Sequence, residues 1–213
     1  MTRWGMVIDL RKCIGCETCK HVCHDANSVP PGATWRQVVD VTMEGNPKGQ
    51  QVFITMGCMH CDEPPCLEVC PTSATKRRTD GIVTIDPELC VGCGACILAC
   101  PYKARNITFE DKISLEENHG LENSGWEKPD RIGVCSKCNF CLPRLDEGLR
   151  KGLRPGQDSK ATPMCVRFCI AEALYFGDLE DPESEVSRLI RENKTRRLNE
   201  ELQTEPSVFY ILD

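Results

Sequence analysis

Apolar residues in this chain come in short bursts separated by polar stretches and by glycine–proline punctuation. Trp4-Gly5-Met6-Val7-Ile8-Asp9 reads as a strand, and so do Gln37–Thr42, Gln51–Thr55 and Ile82-Val83-Thr84-Ile85 after an Asp80-Gly81 turn. Ile107-Thr108-Phe109 reads as a returning strand. Pro30-Pro31-Gly32 and Asn46-Pro47-Lys48-Gly49 mark turns, and the polar, acidic stretch from Ile113 to Pro129 reads as a surface excursion. After Pro182 a charged helix is expected from Glu185 to about Leu202, followed by an apolar strand, Val208-Phe209-Tyr210-Ile211-Leu212. That tail reads as a docking element, its strand either closing the chain's own sheet or lying on a partner subunit. No uninterrupted apolar run approaches the roughly 20 residues that span a bilayer.

Composition makes this pattern unusual. Hydrophobic residues are 40% of the chain, but 17 of the 213 residues are cysteine and only 6% are aromatic. Without cysteine the apolar share is about 32%, thin for a chain of this length, so cohesion must come from metal or from disulfides. The formal charge of −6, with 26 basic and 32 acidic residues interleaved, argues against a nucleic-acid partner. The N-terminal residues show no basic segment followed by an apolar stretch and no twin arginines, so no export signal is expected and the cytoplasm is the simplest location.

The cysteines fall into four runs: Cys13-x2-Cys16-x2-Cys19-x3-Cys23; Cys58-x2-Cys61-x4-Cys66-x3-Cys70-Pro71; Cys90-x2-Cys93-x2-Cys96-x3-Cys100-Pro101; and a split run, Cys135-x2-Cys138-x2-Cys141 with Cys165-x3-Cys169. Cysteines two residues apart rarely reach disulfide geometry within one turn. Structural zinc uses two separated pairs, whereas three thiolates in Cys-x2-Cys-x2-Cys followed by x3-Cys-Pro form the bacterial ferredoxin run. A tight loop of three cysteines wraps three corners of an iron–sulfur cubane, and the fourth corner is met from elsewhere in the chain. No Cys-x2-Cys is followed by histidine, which excludes c-type haem attachment. Cys58-Met59-His60 lacks the second half of a Rieske site, so His60 reads as a surface residue or a neighbour of the ligands, and His21 and His24 likewise. Each run follows a strand and precedes a short helix, an internal repeat. The expected fold is α+β. It has two ferredoxin-like two-cluster modules, one built from the second and third runs and inserted in the other, with long loops and a C-terminal tail.

These residues resemble the four-cluster iron–sulfur subunits of molybdenum- or tungsten-pterin oxidoreductases, the dimethyl sulfoxide reductase superfamily. The likeness lies in Trp4–Asp9 before Cys13-Ile14-Gly15-Cys16, in Cys61-Asp62-Glu63-Pro64-Pro65-Cys66-Leu67-Glu68-Val69-Cys70-Pro71 and in Asp80-Gly81-Ile82-Val83. It continues through Cys100-Pro101-Tyr102-Lys103-Ala104-Arg105, Lys137-Cys138-Asn139-Phe140-Cys141, Pro163-Met164-Cys165-Val166-Arg167-Phe168-Cys169 and Phe176-Gly177-Asp178-Leu179. It implies four [4Fe–4S] clusters. The first would be held by Cys13, Cys16, Cys19 and Cys169, and the second by Cys23, Cys138, Cys141 and Cys165. Cys58, Cys61, Cys66 and Cys100 would hold the third, and Cys70, Cys90, Cys93 and Cys96 the fourth. Cys135 is left over, although spacing alone admits it in place of Cys138 or Cys141. Cys23 and Cys169 lack the proline that follows Cys70 and Cys100, a departure that alters a turn and not a ligand.

The boundaries implied are 1–44 for the first half of the outer module, 45–112 for the inserted module, 113–181 for the arm and second half, and 182–213 for the docking tail. No nucleotide loop or catalytic triad stands out in the sequence, so the expected role is electron transfer and not catalysis. The resemblance implies a molybdenum- or tungsten-pterin catalytic subunit as partner, with a third redox or membrane-anchor subunit as a further one, and export on such a partner as the alternative to the cytoplasm. The rival functions are a free polyferredoxin and a hydrogenase subunit. Lys12, Lys20, Lys103, Arg105, Lys137 and Arg167 lie near the cysteines and are candidates for raising cluster potentials.

Overall fold

The computed structural model describes residues 1–30, 32–42, 51–109 and 131–212. The expected turn at 46–49, the acidic excursion at 113–129 and the boundaries at 44/45 and 112/113 lie outside the described residues.

The first strand, β1 (Trp4–Asp9), is buried along its whole length. It sits inside a four-stranded sheet with β8 (Leu174–Asp178), β9 (Thr195–Arg196) and β10 (Val208–Ile211), in the order β8-β1-β10-β9. β1 runs antiparallel to β8, with Trp4 opposite Asp178, and parallel to β10, with Met6 opposite Val208. Successive side chains leave a strand on opposite faces. Val7 and Ile211 therefore face Val186 of helix α6 (Glu185–Glu192), while Met6, Ile8, Val208 and Tyr210 face the cysteines. Gly5 permits this layering: a Cβ there would lie 2.4 Å from Leu179 Cδ1 and 2.7 Å from the Ser207 carbonyl oxygen.

One expectation for the tail is corrected here and one alternative is chosen. The helix ends at Glu192 and not near Leu202, because no apolar residue continues its buried stripe through 191–197. Ser184 caps its start by accepting from the Ser187 N–H, and Asn193 closes its end by donating to the Leu189 carbonyl at 3.0 Å. Of the two places expected for the tail strand, it takes the one in the chain's own sheet. β10 lies between β1 and β9, and Val208, Tyr210 and Ile211 are buried within the chain's own sheet. An apolar strand finds its lowest free energy beside the buried strand whose hydrogen bonds it completes.

The remaining elements frame the cysteines. Helix α1 (Thr18–Asn27) carries Cys19 and Cys23 on its buried side and packs on α5 (Met164–Arg167), which carries Cys165. The expected strands near 37–42 and 51–55 are β2 (Arg36–Asp40) and β3 (Phe53–Gly57), an antiparallel ribbon. A second ribbon pairs β4 (Thr75–Arg77) with β5 (Val83–Ile85), and a third pairs β6 (Asn106–Ile107) with β7 (Cys135–Ser136). Short helices α2 (Pro65–Glu68), α3 (Ala95–Ala99) and α4 (Leu142–Arg150) complete the chain. Among the described residues no helix is long and apolar enough to cross a membrane.

Candidate iron–sulfur centres

The four cysteine runs share one backbone feature. In each, one Cys-x2-Cys pair (13/16, 58/61, 90/93 and 138/141) has a left-handed residue before its second cysteine: Gly15 at φ 70°, His60 at 46°, Gly92 at 65° and Phe140 at 56°. This turn points successive thiols to one side, and the repeat in sequence is therefore a repeat in backbone. Glycine supplies it without strain at two positions. At the other two, His60 and Phe140 stack on each other with ring centroids 3.8 Å apart, joining the Cys58–Cys61 loop to the Cys138–Cys141 loop.

Two hollows are walled by thiols. One is lined by Cys58, Cys61, Cys66 and Cys100 with Val83, Tyr102 and Arg105. The other is lined by Cys70, Cys90, Cys93 and Cys96, and by Cys135. Backbone donors reach these sulfurs: Thr75 N–H to Cys70 Sγ at 3.4 Å and Cys135 N–H to Cys90 Sγ at 3.3 Å. The remaining cysteines meet around α1. Burial pushes the Cys19 thiol up to about 11; Arg36 draws it down, and Cys165, Cys169 and Cys13 add their repulsion. Burial also raises Cys23, beside Cys138, Cys165 and Cys141, and Asn27 Nδ2 donates to Cys141 Sγ at 3.5 Å and Cys23 Sγ at 3.7 Å. The Ala173 N–H donates to Cys169 Sγ at 3.3 Å. Cys16 and Cys93 are the two exposed thiols among these runs.

Cys135 lies apart from the loop to which spacing could have assigned it. Its sulfur is 3.6 Å from Cys96 Sγ, and this sulfur–sulfur contact lowers the Cys96 pKa and raises that of Cys135.

Of the six cations singled out in the sequence, two are buried. Arg105 donates to Cys66 Sγ at 2.8 Å and to Thr75 Oγ1 at 3.2 Å. Lys137 donates to the carbonyls of Val83 and Cys138. The others face outward: Lys12 reaches Tyr175 Oη, Lys20 pairs with Glu17, and Lys103 and Arg167 are exposed. Sequence reasoning missed Arg36, 4% exposed, which donates to Cys165 Sγ at 3.5 Å and Met6 Sδ at 3.4 Å. Of the two readings given for His60, a surface residue or a neighbour of the ligands, the surface one is excluded. His60 is fully buried, and its Nδ1 accepts from the Val83 N–H at 3.1 Å. His21 and His24 are exposed.

This donor set fits [4Fe–4S] clusters. Among the described residues no three His, Cys, Asp or Glu side chains converge closely enough to hold one metal ion. Thiols spread around a hollow suit a bulky cluster, not a single zinc. The buried Nε of Arg36, whose guanidinium donates to Cys165 Sγ, has no protein acceptor among the described residues, as expected beside a group rich in sulfur acceptors.

A 4Fe-4S dicluster domain matches residues 5–71 and another matches 50–115. A selenate reductase subunit of Mesobacillus selenatarsenatis is 40% identical over 98% of this chain and 72% of its own. A tetrathionate reductase subunit of Salmonella typhimurium is 36% identical, with the same two coverages of 98% and 72%. The Hdr-like menaquinol oxidoreductase iron–sulfur subunit 1 of Archaeoglobus fulgidus is 35% identical over 98% of this chain and 82% of its own. This chain belongs to the iron–sulfur subunits of the dimethyl sulfoxide reductase superfamily. It is an electron-transfer subunit and not a catalytic one, and two dicluster domains give it four [4Fe–4S] clusters.

Proposed function

We propose that this iron–sulfur subunit relays single electrons from or to a molybdenum- or tungsten-pterin catalytic partner, with a second redox carrier at the other end. Bound clusters supply one-electron exchange at each centre; the chain supplies thiolate ligands, backbone donors to sulfur, buried cations and exclusion of water. We assign Cys13, Cys16, Cys19 and Cys169 to the first centre and Cys23, Cys138, Cys141 and Cys165 to the second. Cys58, Cys61, Cys66 and Cys100 make the third, and Cys70, Cys90, Cys93 and Cys96 the fourth. The observation that carries the assignment is the pair of thiol-walled hollows, whose linings contain the third and fourth sets. The position of Cys135 beside Cys96 supports leaving it out of the second set.

The inserted arrangement, with boundaries at 1–44, 45–112 and 113–181, draws support from the sheet: β1 pairs with β8 and β10 across the segment containing the second and third runs. Residues 182–213 then belong to the outer module's sheet. Two outlets for electrons are supported by the exposed cysteines: Cys16 has Ile14 beside it, 59% exposed, and Cys93 has Val91, 66% exposed. One outlet would face the catalytic subunit and the other a redox or membrane-anchor subunit. A second reading rests on the Archaeoglobus relative, whose name places it in a menaquinol oxidoreductase; a subunit of that kind would serve a different partner through the same relay. The compartment proposed is the cytoplasm, with co-export on the catalytic partner as the alternative that cell fractionation tests.

Metal analysis of the large subunit that co-purifies with this chain tests the partner. Molybdenum or tungsten at stoichiometric level is the expected result. Nickel, or no metal besides iron, refutes the pterin partner.

A further inference from the structure

The buried arginines are not placed at random with respect to the four sets of thiols. Arg36 starts β2, opposite Gly57, and a Cβ on residue 57 would come within 3.7 Å of its guanidinium carbon. Its guanidinium donates to Cys165 Sγ, and the cysteines acting most strongly on it are Cys165, Cys138, Cys19 and Cys23. Three of these belong to the assigned second centre and one to the first. Arg105 lies immediately before β6, donates to Cys66 Sγ at 2.8 Å, and its strongest cysteine neighbours are Cys66, Cys58, Cys96 and Cys135. Two belong to the third centre, one to the fourth, and Cys135 sits against the fourth. Both side chains are 4% exposed, and among the described residues neither forms an ion pair with a carboxylate.

A buried guanidinium without a carboxylate is costly unless some other anion compensates it. The neighbours here are thiol sulfurs, and a four-thiolate cluster carries a net negative charge that grows by one on reduction. Two such clusters in one module repel each other, most of all when both are reduced, and the low dielectric of the interior magnifies that repulsion. A fixed cation between them offsets it. Arginine suits the place because it stays charged at any working pH and presents several donors in a rigid fork, so one side chain can address two sulfur groups.

Resting on the ligand sets assigned above, we propose that Arg36 and Arg105 are one electrostatic device used twice. Each is a positioning cation between the two clusters of a module, and each raises the potential of its hydrogen-bonded centre and lets both neighbours hold an electron together. Arg36 acts on the second centre through Cys165, and Arg105 on the third through Cys66. Exposed Lys103, near the ligand Cys100, has no such effect because solvent screens it.

The test is potentiometric titration of the complex, followed by electron paramagnetic resonance, with iron content measured on the same samples. Arg105→Gln should keep its iron and shift the oxidised-to-reduced ratio of one centre at fixed potential by tenfold or more toward oxidised, a fall of about 59 mV for a one-electron couple. Arg36→Gln should do the same to a different centre, and Lys103→Gln should move none. Iron-replete glutamine variants with unmoved potentials overturn the proposal. If a glutamine variant fails to load iron, the lysine variants decide. Arg105→Lys and Arg36→Lys keep the charge and should load iron with potentials within tenfold of the parent ratio, and iron loss in them too overturns a charge-based role. A wrong ligand assignment gives a separate signature, namely Cys66→Ser or Cys165→Ser retaining every iron.

Discussion

Removing residues 207–213 should cost this subunit its clusters as well as its sheet. The deleted strand buries Val208, Tyr210 and Ile211, at 3%, 1% and 0% exposure. Burial of Val208 and Ile211 is worth about 3–6 kcal/mol together, and the Tyr210 ring a further 2–3 kcal/mol or so. These areas are counted against an extended unfolded chain and are upper values. A typical domain has only about 5–15 kcal/mol in total. The same segment braces the second cysteine run directly. Ser207 N–H donates to the Met59 carbonyl at 2.8 Å, Ser207 Oγ to the His60 carbonyl at 2.9 Å, and Tyr210 Oη to the Thr55 carbonyl at 3.0 Å. Deletion therefore bares one edge of β1 and frees the loop that presents Cys58 and Cys61.

The assay is iron and sulfide content of the truncated subunit produced with its partner, together with the rate of iron release to a chelator. The truncated chain should be aggregated or short of at least one cluster. Tyr210→Phe, which removes the bond to the Thr55 carbonyl and the weak one to Met59 Sδ at a cost of about 1 kcal/mol, should fold and release iron about fivefold faster. A truncated subunit with its full iron and the parent release rate would refute the reasoning, and would return the tail to a role outside this chain's own sheet.

Three further outcomes follow from the site. Anaerobically prepared subunit should contain roughly 16 iron and 16 sulfide per chain; about 12 of each, or stoichiometric zinc, contradicts four cubanes. Cys135→Ser should leave the iron content unchanged, whereas Cys138→Ser or Cys165→Ser should lose or convert one cluster, and the reverse pattern sinks the assignment of the split run. Gly92→Ala should be far more damaging to iron loading than Gly94→Ala. Both positions have positive φ, but a Cβ at 92 would lie 2.1 Å from the Gly133 carbonyl oxygen while one at 94 meets nothing within 4 Å; equal effects would mean that the Gly92–Gly133 approach is unimportant.

The cysteine runs were legible because their information is local. Spacing within a run of a dozen residues fixes which thiols can share a loop, and the family's cofactors follow from that. β1 was legible for the same reason, as an apolar burst with a clear stop. Arg36 was not. A charged residue at the start of a strand reads as solvated, and its burial is made favourable by thiols brought in by the fold, among them Cys165, 129 positions along the chain. The end of α6 lay open in the polar run 191–197, but the place of β10 was hidden in the same way. Val208–Ile211 declares an apolar strand, but its partner is at the opposite terminus, and no local pattern could choose between that edge and a second protein.

His60 and Phe140 show a subtler kind of signal. Placing Cys13–Cys16, Cys58–Cys61, Cys90–Cys93 and Cys138–Cys141 side by side puts Gly15, His60, Gly92 and Phe140 at one position, and the two glycines alone announce a left-handed turn. A side chain in that conformation costs about 1–2 kcal/mol, so two non-glycine residues there need a compensating contact. They supply it to each other: both are buried, at 0% and 1% exposure, and their rings stack at 3.8 Å. Phe140 in turn packs edge-on against Phe176, which stacks on Trp4 of β1. Glycine at either position would relieve the strain and leave a void between the Cys58–Cys61 and Cys138–Cys141 loops. The two strained residues are thus best understood as the joint of the relay, holding the second and fourth runs in contact where a flexible turn would let them part.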